Sequence, residues 1–155
     1  MSSHHCRRIL VTWLYAVAIS HLVVSIVLTW AGQHGWLDTY IQHLEQVFWG
    51  TTAPAPARAQ QIWWLALFGA TLQSYSLYML GLIRLGSRYR IPAIWGWMML
   101  GILVWAPQDI WISLQAGVRL HLWVDSLALL TLLPPLLWLY RHDRRQTSSQ
   151  PIAHS

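Results

Sequence analysis

The chain has 155 residues, 55% of them hydrophobic and 10% charged, with a formal charge of +5. That length allows one domain and leaves no room for a soluble catalytic module beside the long apolar runs described next. The single Cys6 excludes a disulfide framework and a thiol pair for redox exchange.

Apolar stretches run over about 9–31, 62–83, 91–114 and 120–140. Each reaches the ~20 residues that cross a ~30 Å hydrocarbon core. Lipid offers no partner for free N–H and C=O groups, so such spans must be helical. The sequence therefore predicts an all-α integral membrane four-helix bundle. Arg7 and Arg8 precede the first span, Arg84, Arg88 and Arg90 separate the second from the third, and Arg141, Arg144 and Arg145 follow the fourth. Arg-rich connections mark the cytoplasmic side, so both termini are expected there and 32–61 on the opposite side. The positive charge thus reads as topology, not as a nucleic-acid surface. The expected organisation is a cytoplasmic N-terminus (1–8), a four-span domain (9–140) and a disordered cytoplasmic tail (141–155). All basic residues are Arg and none is Lys. This points to a GC-rich, bacterial source, and to a bacterial inner membrane ahead of an endoplasmic reticulum membrane.

The first span is too long for a signal-peptide core and lacks a small-residue cleavage site after it, so it reads as a retained helix. It carries His21 near mid-membrane. In the long connection, 36–49 fits a short amphipathic helix with Trp36, Tyr40, Val47, Phe48 and Trp49 at the interface. Residues 51–58 (TTAPAPAR) read as an extended linker, because each Pro biases the residue before it away from helix. The second span has a polar centre, Gln73-Ser74-Tyr75-Ser76 with Tyr78. The third begins with Pro92 in its first turn and holds Pro107-Gln108-Asp109, where a Pro kink is expected. The fourth holds Pro134-Pro135, a second expected kink or break. Broken membrane helices are tolerated where they are buried or line a cavity, so the third and fourth helices are expected to open a lateral cavity. Most of the twelve Trp fall at span ends, as interfacial belts do. Trp95, Trp97 and Trp105 lie inside the third span and face either a pocket or lipid.

Ionisable groups within a span are expensive and are functional candidates by default. Asp109 lies about 18 residues, roughly 27 Å, into the third helix, and Asp125 about six residues, roughly 9 Å, into the fourth. The short turn at 115–119 brings both to the outer leaflet. His121 shares a helix face with Asp125, and Arg119 stands one turn away. Two readings stay open: a proton-handling or cation-binding site, or a structural cluster in which Arg119 and His121 neutralise the acids. His21 and Gln73 either hydrogen-bond to each other, worth under ~2 kcal/mol, or contact a ligand. Haem ligation is set aside because His21 lacks a facing His at its depth. No metal is assigned to His34, Asp38 and His43, whose spacing matches no closed site, and no cofactor is expected.

The layout of helix, long luminal loop and three closely linked helices resembles the EXPERA family, which includes the sterol-isomerising emopamil-binding protein and the sigma-2 receptor. Arg7-Arg8 followed by Trp13 and Ser20-His21 looks like that family's first helix. Leu85-Gly86-Ser87-Arg88-Tyr89-Arg90-Ile91-Pro92-Ala93-Ile94 is similar to its turn into the third helix. Arg119-Leu120-His121-Leu122 with Pro134-Pro135-Leu136-Leu137 resembles its fourth, and Pro107 fits as well. The similarity covers about 7–140. Sigma-2-type members carry ligand-contacting acids where Thr29 and Gln73 stand here, and the isomerase's His and Glu set on the second helix has no counterpart. The resemblance implies a pocket for a sterol-like, lipid-like or hydrophobic amine ligand and does not carry isomerase activity over. The expected ligand-binding residues are Asp109, Asp125, Gln73, His21, Tyr75 and Trp105. If the protein is an enzyme, a double-bond isomerase would use Asp125, His121 or Asp109. The alternative is an accessory subunit of a larger membrane complex. Whether the chain forms a homodimer stays open.

The topology has a direct test. With Cys6→Ser and Thr52→Cys, a membrane-impermeant maleimide should label intact cells. The native Cys6 should label only after lysis.

Overall fold

The structure, a computed structural model, describes residues 3–148. Among these the regular elements are all helical: α1 (Ser3–Trp30), α2 (Asp38–Trp49), α3 (Ala55–Tyr89), α4 (Pro92–Gln115) and α5 (Arg119–Ser148), with a 3₁₀ turn over Ala31–His34. Helices α1, α3, α4 and α5 are long and apolar enough to cross a membrane. Their outward faces are studded with large apolar side chains such as Val23, Phe68, Val104 and Leu130. A soluble protein does not expose so much apolar surface, whereas lipid requires it.

Several boundaries differ from the sequence reading. Helix α3 starts at Ala55, so only 51–54 of the expected linker is non-helical. A Pro in the first turn forfeits no hydrogen bond, and Pro56 sits there without cost. Helix α4 runs unbroken through Pro107 and α5 through Pro134 and Pro135. Pro107 thus lies inside its span rather than at its end, as expected, and the alternative of a break at Pro134-Pro135 is not realised. Helix α5 also continues through Ser148, so 141–148 is not the expected tail, and 149–155 lies outside the described residues. The amphipathic helix forms over Asp38–Trp49 and ends where Gly50 takes a left-handed φ of 66°.

The spans associate as two antiparallel pairs, α1 with α3 and α4 with α5. Small residues let α1 and α3 approach closely. A Cβ on Gly69 would meet Thr29 Oγ1 at 2.6 Å and the Ser25 carbonyl oxygen at 2.9 Å. Close approach by small residues is how membrane helices gain packing when lipid removes the hydrophobic drive between them. The α4–α5 turn closes as a Schellman motif: Val118 N donates to Ser113 O at 2.9 Å, and Gly117 takes a φ of 76°. Val118 is buried behind it, the apolar contact that accompanies this cap.

The two pairs share one apolar core. It joins Leu14 and Ala18 of α1, Met79 and Ile83 of α3, Trp95, Met98 and Ile102 of α4, and Leu132, Leu136 and Leu139 of α5. Most of these lie toward the end at which α1 begins and α5 finishes, called here the inner end. The polar ties between the pairs lie there too. Asp143, wholly buried, accepts from Arg7 Nε (3.0 Å), Arg7 Nη2 (3.1 Å) and Trp95 Nε1 (2.9 Å). Arg7 Nη2 also donates to Ser87 O at 3.2 Å. Trp95 is wholly buried and packs on Gly86, where a Cβ would meet Trp95 Cζ2 at 2.8 Å. Trp95 is therefore a core residue that faces no pocket, while Trp97 and Trp105 are exposed on the lipid side. Farther along, Trp13 Nε1 donates to Thr131 O at 3.1 Å. Among the described residues the shared core thins out past the middle of the bundle, where Val17 and Ala18 of α1 and Ala128, Leu129 and Leu132 of α5 are its outermost members.

This knot should dominate stability. Asp143→Asn leaves the Arg7 guanidinium largely buried without its counter-charge, a loss of about 3–5 kcal/mol. Trp95→Phe removes one hydrogen bond from the same carboxylate and should cost about 1–3 kcal/mol. Thermal unfolding in detergent, read by circular dichroism, should rank Asp143→Asn well below Trp95→Phe.

Candidate functional site

The outer end collects the acids that the sequence left apart. The Schellman turn fixes the α4–α5 hairpin, and with it Asp109 of α4 faces His121 and Asp125 of α5. His121 Nδ1 lies 3.5 Å from Asp109 Oδ2. The Asp125 carboxyl is close enough to Asp109 for the two acids to interact electrostatically. The side chains of Asp109 and His121 are 31% and 34% exposed, whereas Asp125 is 2% exposed. Its Oδ2 is buried without a hydrogen-bond partner. A buried polar atom without a partner is uncommon and calls for an explanation. Arg119 is exposed and enters no ion pair with the two acids. Of the two groups that could neutralise the acids in a structural cluster, His121 is therefore placed at Asp109 and Arg119 is not.

A fourth group comes from outside the spans. Tyr40 of α2 places its Oη 3.1 Å from His121 Nε2, with the two rings nearly parallel. With the imidazole proton on Nδ1, the phenol donates to Nε2 and Nδ1 points its proton toward Asp109. Tyr40, His121, Asp109 and Asp125 thus form a line from the half-exposed surface to a buried carboxyl. Burial first, and the Asp109 charge second, hold the Tyr40 phenol above its ordinary range. In the sequence Tyr40 reads only as an interfacial aromatic. The signal that could have found it is the helical register Tyr40, Leu44, Val47, one face of α2 at i, i+4, i+7. That face meets the hairpin, and a Cβ on Gly117 would sit 3.6 Å from Val47 Cγ1.

Helix α2 is held from its other face. Arg58 Nη1 donates to the buried Glu45 at 2.9 Å, and Arg58 Nη2 donates to Asp38 at 2.6 Å. The clamp ties α2 to the first turn of α3. A concavity of about 390 Å³ opens beside it, lined among others by Thr39, Gln42, His43 and Arg58. It lies on α2 and the start of α3, away from the middle of the spans where the sequence reading put a lateral cavity.

The remaining sequence candidates are dispersed. Gln73 Nε2 donates to Thr29 Oγ1 at 2.8 Å, and Thr29 Oγ1 in turn donates to Ser25 O. The His21 ring is bound 2.8 Å from the Val17 carbonyl of its own helix. The expected His21–Gln73 hydrogen bond is replaced by these two, because each polar group finds a nearer acceptor along α1. Tyr75 and Trp105 are exposed on the outer surface, at 46% and 43%. No protein-family model, no curated protein and no solved structure matches the chain.

The coupling between Tyr40 and Asp109 can be read spectroscopically. Tyrosinate absorbance, taken as the difference between the wild type and Tyr40→Phe, should develop at a higher pH than the ordinary tyrosine value of 10.0. In Asp109→Asn the midpoint should fall, because the carboxylate that opposes phenolate formation is gone.

Proposed function

We propose that this multi-pass membrane protein binds a hydrophobic, amine-bearing or lipid-like molecule. Its polar head meets Asp125 and Asp109 at the outer end, and its apolar body lies between the outer halves of the two helix pairs. The observation that carries this reading is the buried Asp125 carboxyl, with Oδ2 lacking any protein donor, one turn beyond Ala128, where the shared apolar core ends on α5. A cationic head would supply the missing donor and balance two adjacent acids. Apolar walls with a few placed polar groups suit such a ligand. The EXPERA-like character belongs to the same proposal. It draws support from the 2.8 Å contact between Gln73 and Thr29, the two positions at which sigma-2-type members carry ligand-contacting acids.

A second reading is favoured by the line of titratable groups that ends at paired acids. In a double-bond isomerase one carboxylic acid would protonate an alkene carbon. A neighbouring carboxylate or imidazole would then take up the allylic proton, with no net redox change. Turnover in membranes that vanishes in Asp125→Asn, with folding intact, would establish it.

Native mass spectrometry of the protein in mild detergent, with extraction of bound small molecules, tests the binding reading. A discrete hydrophobic molecule should co-purify with the wild type and be lost in Asp125→Asn and Asp109→Asn. If the three proteins carry only bulk phospholipid, without difference, the site is not a ligand site. A stoichiometric protein partner would then favour the accessory-subunit reading.

A further inference from the structure

Charge is divided between the two ends far more sharply than topology requires. The inner end has eight of the ten arginines and one acid, Asp143, a formal +7. The outer end has Arg58 and Arg119 with Asp38, Glu45, Asp109 and Asp125, a formal −2, and together these make the chain's +5. The single inner acid is already used by Arg7 inside the knot.

The knot also gathers what lies around it. Because Arg7 binds both Asp143 of α5 and the Gly86 and Ser87 carbonyls of α3, the adjacent residues of three helices converge. Arg8 follows on α1, Arg84 and Arg88 flank the α3 carbonyls, and Arg141 precedes Asp143. All four are exposed. Arg90 binds Gln146, which draws the α3–α4 turn onto α5 at the same point. Arg88 lies over the exposed ring of Tyr89, 5.3 Å from its centroid, which suits a headgroup-level anchor. The positive-inside rule asks only for basic residues within short loops. It does not ask that they converge around one buried carboxylate.

We infer that the inner end is a binding surface for the phosphate headgroups of anionic phospholipids, with Arg8, Arg84, Arg88 and Arg141 as its contacts. Guanidinium groups donate bidentately to phosphate oxygens. Exposed cations at a membrane surface gain most from a leaflet that carries negative lipid. The surface lies at the opposite end from the acid site and does not depend on that site having a ligand.

The test uses the full chain in nanodiscs made either of phosphatidylcholine alone or with about one third phosphatidylglycerol. Lipids retained after release into detergent are counted by native mass spectrometry. The wild type should retain phosphatidylglycerol in preference to phosphatidylcholine. Each of Arg8→Gln, Arg84→Gln, Arg88→Gln and Arg141→Gln should weaken that preference up to about fivefold, the scale of one basic residue at an anionic surface. Arg119→Gln at the outer end should leave it unchanged. Circular dichroism and gel filtration identify any variant that fails to fold, and the remaining singles then decide. Equal retention of the two lipids by the wild type would overturn the proposal, as would a preference that survives all four folded variants. Displacement of the lipid by millimolar inorganic phosphate would overturn it in favour of a free-anion site.

Discussion

The bundle depends on one buried carboxylate. Asp143 collects a guanidinium from α1 and an indole N–H from α4 while itself sitting on α5, and the same guanidinium caps carbonyls at the end of α3. Four helices are therefore registered by one group. The reason it can act this way is dielectric. At the edge of the hydrocarbon an ion pair is worth more than in water, and an unpaired partner costs several kcal/mol. Gly86 completes the arrangement, since only the absence of a Cβ lets the Trp95 indole approach α3 closely enough for α4 to reach Asp143.

With the pairs fastened at the inner end, the outer halves are free to serve another purpose. There α1 and α3 hold each other through Ser25, Thr29, Gly69 and Gln73, and α4 and α5 through their turn and its acids. The polar groups are distributed accordingly. On α1 and α3 most are spent in hydrogen bonds within or between the two helices, such as Thr29 to Ser25 O and Gln73 to Thr29 Oγ1, although Gln61 Oε1 of α3 is buried without a partner. On α4 and α5 they remain in part unmet, as at Asp125 Oδ2. Helix α2 adds a surface-facing component, with Tyr40 on His121 and an Arg58 clamp behind it. The molecule thus combines a rigid, basic inner end with an acidic outer end whose hydrogen-bonding is incomplete, and the proposed ligand and lipid sites follow that division.

What the sequence made legible follows from strong local physics. Four runs of apolar residues in lipid leave helix as the only answer, and most of the arginines fall at one end of the spans. Asp109, Asp125 and His121 stood out because ionisable groups in a span carry a cost that needs a reason. The kinks inferred from Pro107 and Pro134-Pro135 did not become breaks. A Pro removes one donor and disturbs one turn, and the backbone hydrogen bonds on either side are enough to carry a membrane helix through. The expected pairing of His21 with Gln73 did not form. His21 takes the Val17 carbonyl one turn back on its own helix, and Gln73 takes the Thr29 hydroxyl across the α1–α3 contact.

The sequence by itself determined the class of the protein, the number of its spans, and the charge division between its ends, while the helices run up to eight residues past the apolar limits. What it determined rests on composition and on interactions within a turn or two. Only the tertiary structure decided that Asp109 and Asp125 converge, that Tyr40 from a separate helix completes their line, and that Asp143, amid a run of arginines, is the core of the fold. These pairings join residues far apart in the chain, Arg7 with Asp143 and Tyr40 with His121. Which helix faces meet is set by packing of small residues and by the turn at Gly117, and no local pattern encodes that choice.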